Sequence, residues 1–320
     1  MLAFSNDGRY EGSWVNDKPH GQGSFSYPSG NRYVGEWVDG SITGQGELIY
    51  AGGDHYDGEW RNGKMHGKGV YKYADGDVYD GEWQDDLRHG TGRVTFGSTS
   101  ADGVAVDEYE GGFVMGKIHG FGRYTYADGS VYEGEFVDGN ITGRGVFTSA
   151  AYKYDGEWKN GVKDGSGIMQ NANGDRLEAT WINDVLHGIG TLTSANGDKY
   201  VGAFANGRKH GVGELHYANG DLFRGQWETD RAEGEGVLLY ADNSHYEGQW
   251  KDNKRHGTGV FTHADGSRYE GSWVLGRKDG RGTYTMANGA KFSSMFQAGV
   301  PSGAGVLELP EGSPWLDPEL

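Results

Sequence analysis

The chain has 320 residues, 60 of them glycine, with an aromatic fraction of 13% and a formal net charge of −17. Disordered chains are poor in aromatics, so glycine and rings rising together point to a β structure in which rings pack beside missing side chains. The absence of cysteine excludes disulfides and thiolate metal sites, and the acidic balance opposes nucleic acid as a partner.

The opening MLAFSNDGRY lacks a cationic region followed by a long apolar stretch, so it does not read as a secretory signal. No apolar run approaches the roughly 18 residues that span a bilayer. Together these give the expectation of a soluble, cytoplasmic protein.

From Tyr10 onward one pattern recurs. Aligned on a leading aromatic, units start at Tyr10, Tyr33, Tyr56, Tyr79, Tyr109, Tyr132, Tyr154, Leu177, Tyr200, Phe223, Tyr246, Tyr269 and Phe292. The step is 23 residues except for 30 after Tyr79 and 22 after Tyr132, and nine of the ten tryptophans fall four positions after a start. Ten residues after each start comes a second signature, such as HGKG at 66, HGTG at 89 or HGVG at 210. Its Gly-x-Gly core is present in all thirteen units, whereas the histidine is replaced in six.

In Tyr-x-Gly-Glu-Trp the first, third and fifth residues share one face of a strand, and the second and fourth share the other. A second alternating run follows Gly-x-Gly, as in VYKY at 70–73. The two runs are joined by Asn62-Gly63, Asp138-Gly139, Asn160-Gly161 or Asn206-Gly207, and successive units by Asp75-Gly76, Asp128-Gly129 or Asn219-Gly220. These dipeptides predict tight hairpin turns with positive φ at both central residues. Each unit is then a β-hairpin whose glycines let a ring lie flat across the neighbouring strand. Single hairpins are marginal in water, but stacked ones share the ring layer. Thirteen hairpins predict about 26 strands at ~4.8 Å spacing, a twisted rod on the order of 120 Å long.

The expected organisation is a half repeat at 1–9, with Phe4 in the place of Tyr27 and Tyr73, then thirteen repeats over 10–309 and an acidic, proline-bearing tail at 310–320 that contains Trp315. A polar insertion, GSTSADGVAVDE, occupies 97–108.

Tyr-x-Gly-Glu-Trp, Asn-Gly, His-Gly-x-Gly and a closing Asp-Gly at this step resemble the MORN repeat (membrane occupation and recognition nexus). The likeness covers residues 4 to about 309, with departures at LEATW (177–181), which lacks the glycine, and FSSMF (292–296), which lacks glycine and tryptophan. The resemblance implies an all-β, single-layer antiparallel meander with an aromatic-lined groove. It further implies a non-enzymatic scaffold, homodimeric through its C-terminal repeats, at cytoskeletal, ciliary or membrane-associated structures.

Four groups of side chains are candidate sites. The aromatic positions Tyr56, Trp60, Tyr79, Trp83, Tyr246, Trp250, Tyr269 and Trp273 form the packed layer and, where reachable, a slot for a partner helix or peptide. The repeat-position histidines, His20, His66, His89, His119, His187, His210 and His256, lie about two strands apart, roughly 10 Å, too far to share an ion; a structural role is expected, with no metal. Cations precede the histidine position in nine of thirteen units and double up late, as Arg208-Lys209, Lys254-Arg255 and Arg277-Lys278. Read as charge balance they are solvated turns; read functionally they contact phosphoinositide headgroups, at about 1 kcal/mol per cation. The second-position acids, such as Asp57, Asp80 and Glu247, read as a solvated outer face, and DGDVYD at 75–80 lacks the later glutamate of a calcium loop.

No catalytic residue and no cofactor is expected. The leading expectation is the scaffold, with self, cytoskeletal or ciliary proteins as partners; the rival is a module that reads anionic phospholipid, and a third reading is a non-catalytic subunit of another chain's enzyme.

Overall fold

A computed structural model describes residues 8–97 and 106–313. Phe4, residues 98–105 of the insertion and Trp315 lie outside them. The chain divides into two compact units, 1–162 and 163–320. The described residues contain strands and turns only. In the first unit, thirteen strands run from β1 (Arg9–Val15) to β13 (Tyr152–Lys159), and the second carries β14 (Val162–Asn171) through β26 (Val300–Glu308). Within each unit the sheet is a meander, each strand antiparallel to the one before it. One repeat shows the rule: β5 (His55–Arg61) pairs with β6 (Lys64–Lys72), which pairs with β7 (Val78–Gln84). The repeat at Phe292 keeps this form, as β25 (Lys291–Gln297) and β26.

The two glycines of Gly-x-Gly answer to different physical demands. Opposite Gly58 stands Gly69, and opposite Trp60 stands Met65, so Glu59 alone faces His66, Gly67 and Lys68. The excess residues make a bulge, and Gly67 takes a φ of 59° to close it. Gly69 lies under the ring of Tyr56 instead: a Cβ there would sit 2.3 Å from the Tyr56 hydroxyl and 2.5 Å from two of its ring carbons. The side chain of Glu59 fills the bulge, Oε1 accepting the Lys68 N–H at 3.0 Å.

Tyr56 is fully buried although the sheet has one layer, because its ring is walled by tryptophans from two repeats; at Tyr79 and Tyr269 the following repeat supplies a phenylalanine instead, and at Tyr109 both walls are phenylalanine. Tyr56 meets Trp60 at 5.2 Å and Trp83 at 5.4 Å between centroids, both edge-to-face. Its hydroxyl donates to the Glu59 carbonyl at 2.9 Å. Trp60 Nε1 donates to the Gly46 carbonyl at 2.8 Å, tying each repeat to the one before. Every polar handle on the buried rings of this repeat is therefore satisfied within the layer.

The turns divide into two kinds. Within a hairpin both central residues have positive φ, as in Asn62 (51°) and Gly63 (79°), the geometry of a type I′ turn. Between repeats the expectation fails. Gly76 has φ 100° but Asp75 does not lie in the positive region; Gly76 N–H donates to the Tyr73 carbonyl at 3.0 Å and Tyr73 N–H to the Asp77 carbonyl at 2.9 Å. This is a type I turn closed by one left-handed glycine, and the longer loop suits the aspartate, whose Oδ1 accepts the Asp77 N–H at 3.2 Å.

Candidate interaction surface

The eight aromatics proposed from sequence to line a partner slot are all inside the layer. Tyr56, Tyr79, Tyr246 and Tyr269 are 0% exposed, and Trp60, Trp83, Trp250 and Trp273 lie between 3% and 7%. The slot they were expected to form is filled by their own edge-to-face packing. A second tier of rings, next to the inter-repeat turns, stays partly in solvent: Tyr50, Tyr73 and Tyr126 in the first unit, Tyr240 and the more exposed Tyr217 in the second.

The doubled cations are not one ridge. Adjacent residues on a strand point to opposite faces, and the structure separates each pair. Arg208, Lys254 and Arg277 are exposed. Their neighbours turn inward over the rings. Lys209 Nζ sits 4.9 Å from the Trp227 ring centroid, the Arg255 guanidinium 4.4 Å from that of Trp273, and Lys278 Nζ 4.6 Å from that of Tyr269. Burial lowers the pKa of Lys209, against the nearby Asp230, and that of Lys278, to which the Arg255 charge adds.

Two of the histidines, His20 and His256, serve the next hairpin's turn, while His187 Nδ1 faces the Val185 carbonyl. Asp39 N–H donates to His20 Nδ1 and Leu275 N–H to His256 Nδ1, each at 3.5 Å. Where histidine is replaced, other acceptors do the same work: Glu233 takes the Asp252 N–H at 3.0 Å, Asp279 the Ala298 N–H at 3.2 Å, and Asp164 the Asn183 N–H at 3.3 Å. Among the described residues no three His, Asp or Glu side chains gather around a common point.

Sequence reasoning missed the fourth-position glutamate. Glu36, Glu59 and Glu82 each accept an amide across the bulge, and Gln226 and Gln249 do so through a carboxamide, at 3.1 Å each. Two hydrogen bonds from Thr91, its hydroxyl first and then its N–H, hold the Glu82 carboxyl below the usual carboxylate range. The interchange of Glu with Gln was the available signal, since it preserves an acceptor oxygen and not a charge.

At the far end, β26 pairs with β25 on one side and is exposed at all nine positions. It carries Val300, Val306 and Leu307 at 63%, 61% and 54% exposure. Its inner neighbour Phe292 is half-buried where Tyr269, with Phe296 against it at 5.0 Å, is fully covered.

Comparison with known proteins places this architecture. The model of the MORN repeat matches twelve segments, from 10–32 to 269–291, leaving the hairpin of β25 and β26 outside. Among curated proteins none matches. Solved structures similar to the chain include the TCP10 domain of Danio rerio CPAP in complex with a STIL peptide, at 12% identity, 72% of this chain, 91% of that one and TM-score 0.37. The TCP domain of Drosophila melanogaster SAS-4 with a proline-rich motif of Ana2 follows at 13% identity, 63% and 86% coverage and TM-score 0.29. Neither likeness is strong enough to carry a functional argument.

Proposed function

The chain belongs to the MORN-repeat family, and from that premise we propose that it is a non-catalytic scaffold that self-associates through its last hairpin and organises cytoskeletal, ciliary or membrane-associated assemblies. The observation that carries this reading is β26: a fully exposed strand with three large aliphatic side chains in solvent. An edge of this kind recruits another strand unless something covers it. A second copy of the chain, offering the same edge, forms a closed two-fold pair and continues the ring layer over Phe292.

The test is light scattering of the full chain at micromolar concentration, beside a variant with Val306→Lys and Leu307→Lys. The native chain runs at twice the monomer mass and the variant at the monomer mass. A native monomer refutes the reading.

The exposed cations Arg208, Lys254 and Arg277 support a second reading, attachment to anionic phospholipid, with fewer charges than the sequence promised. Flotation with phosphoinositide vesicles, comparing the native chain with those three residues as glutamate, decides it: equal flotation, or none, removes the lipid from the mechanism.

A further inference from the structure

The residue nine positions after each repeat start faces the ring layer, and its identity varies in an informative way. In most units it is apolar, and Ile42, Met65, Leu186 and Ala232 are buried there at 4–8% exposure. Five units place a cation in this apolar slot: Arg88, Lys163, Lys209, Arg255 and Lys278. Two of the lysines have an aspartate to answer them. Lys163 Nζ lies 3.4 Å from Asp184 Oδ1, and Lys209 has the Asp230 charge beside it.

Arg255 and Lys278 differ from these two lysines, as does Arg88, which lies over the Tyr79 and Phe113 rings and donates to the Gly116 carbonyl at 3.0 Å. Arg255 and Lys278 occupy the slot in consecutive repeats, and no carboxylate among the described residues lies within salt-bridge distance of either. The charge felt at Lys278 is the like charge of Arg255. Arg255 donates one hydrogen bond, to the Gly276 carbonyl at 3.3 Å, leaving the rest of its fork unused. Both border one depression of about 290 Å³, with Trp273 and Phe261 in its lining and His263 and the exposed Arg277 also on its border. In a chain of net charge −17, this is a cationic, aromatic-backed recess holding two half-buried cations at a position that aliphatic residues fill elsewhere. Inside the fold their charges meet only ring faces and one carbonyl, with no carboxylate to neutralise them.

We propose that the recess bordered by Arg255, Trp273, Arg277 and Lys278 binds an acidic segment of a protein partner, its carboxylates meeting Arg255 and Lys278 and an apolar side chain lying over the rings beside them. This rests on the scaffold reading only in that it names a client's chemistry. Carboxylates match the planar guanidinium fork bidentately. The recess also favours a peptide over a membrane: Arg255 and Lys278 are half-buried against rings, within reach of a flexible side chain but set back from a flat bilayer, which meets protruding groups such as Arg208 and Lys254.

The test is fluorescence anisotropy of the full chain with short labelled peptides of Glu and Leu, against Lys–Leu peptides of equal length and against phosphoinositide vesicles, at low and high salt. The variant is Arg255→Ile with Lys278→Ile, chosen because isoleucine already fills this slot in three other repeats and its melting temperature reports that the fold is kept. The native chain binds the Glu–Leu peptide, salt weakens the binding, and the variant binds at least about tenfold more weakly, while Lys209→Ile leaves the affinity unchanged. Equal binding by native chain and variant, no preference for Glu–Leu over Lys–Leu, or vesicle capture through these two residues without peptide binding each overturns the proposal. The light-scattering mass is read on the same samples. A dimer that ignores the peptide sinks this inference alone, and a monomer that binds it sinks the self-association reading alone.

Discussion

Placing one methyl group under a ring tests the fold most sharply, at Gly58→Ala. A Cβ at this position would lie 2.4 Å from the Gly69 Cα, 2.6 Å from the Tyr56 hydroxyl and 2.7 Å from the Lys68 carbonyl oxygen. Two of these neighbours are backbone, and the third belongs to a ring wedged between Trp60 and Trp83, so nothing can yield cheaply. Overpacking of this kind costs about 1–3 kcal/mol, and displacing the Tyr56 hydroxyl from the Glu59 carbonyl adds about 1 kcal/mol. The expected cost is about 3 kcal/mol, or roughly two orders of magnitude in amide exchange if it is local. Hydrogen exchange of residues 55–72 is the right assay, because long repeat arrays do not unfold in one step. The eighth repeat suggests the compensation: Leu177 replaces the tyrosine where Ala179 replaces the glycine. Tyr56→Leu combined with Gly58→Ala therefore costs at least about 1 kcal/mol less than the two changes summed. Native exchange rates in Gly58→Ala, or strict additivity in the pair, refute the account of why glycine stands there.

Three further outcomes are expected. Glu59→Gln changes stability by less than about 0.5 kcal/mol, because Gln226 and Gln249 already fill the same bulge, whereas Glu59→Leu costs about 1–2 kcal/mol; urea melts of the two variants check the contrast. Leu275 holds a φ of 46° in a type I′ turn, so Leu275→Asn raises stability by about 1 kcal/mol, seen as a higher melting temperature. Burial pushes Tyr109, Tyr200 and Tyr269 up to about 12, against ~10 in the unfolded chain. The folded state thus holds these protons more tightly, so the contribution of these tyrosines to stability is constant below pH ~10 and falls as pH rises from there through 12. Ultraviolet titration should show these tyrosinates appearing only together with loss of the fold, not reversibly at pH ~10.

The strands, their pairing and the inward aromatic face were legible because a period of two and Asn-Gly turns are local signals repeated thirteen times. Tyr56, Gly58 and Trp60 share a face in the sequence and in the structure. Less visible was that the two glycines of Gly-x-Gly differ: Gly67 has the side of a bulge and Gly69 the underside of a ring, a distinction made only by the register between strands. The cation pairs misled for a related reason. Lys254 and Arg255 look like one charged tip in a linear reading, yet alternation sends the second over Trp273. The inter-repeat turns differ from the intra-hairpin ones although both read Asp-Gly or Asn-Gly, since loop length and not the dipeptide selects the turn type. The groove assignment to the eight rings assumed an uncovered face; an aromatic of the next repeat covers it, tryptophan over Tyr56 and Tyr246 and phenylalanine over Tyr79 and Tyr269.

Self-association through β26 is the central functional claim, and the absence of cysteine makes a direct test simple. A single spin label at Leu307→Cys, with a control at the exposed Thr258→Cys, measures the distance between copies by pulsed electron resonance. The account predicts a short, sharp inter-copy distance for the label on β26 and a longer one for the control. No dipolar coupling at Leu307, or a shorter distance at Thr258, would place the contact elsewhere and contradict it.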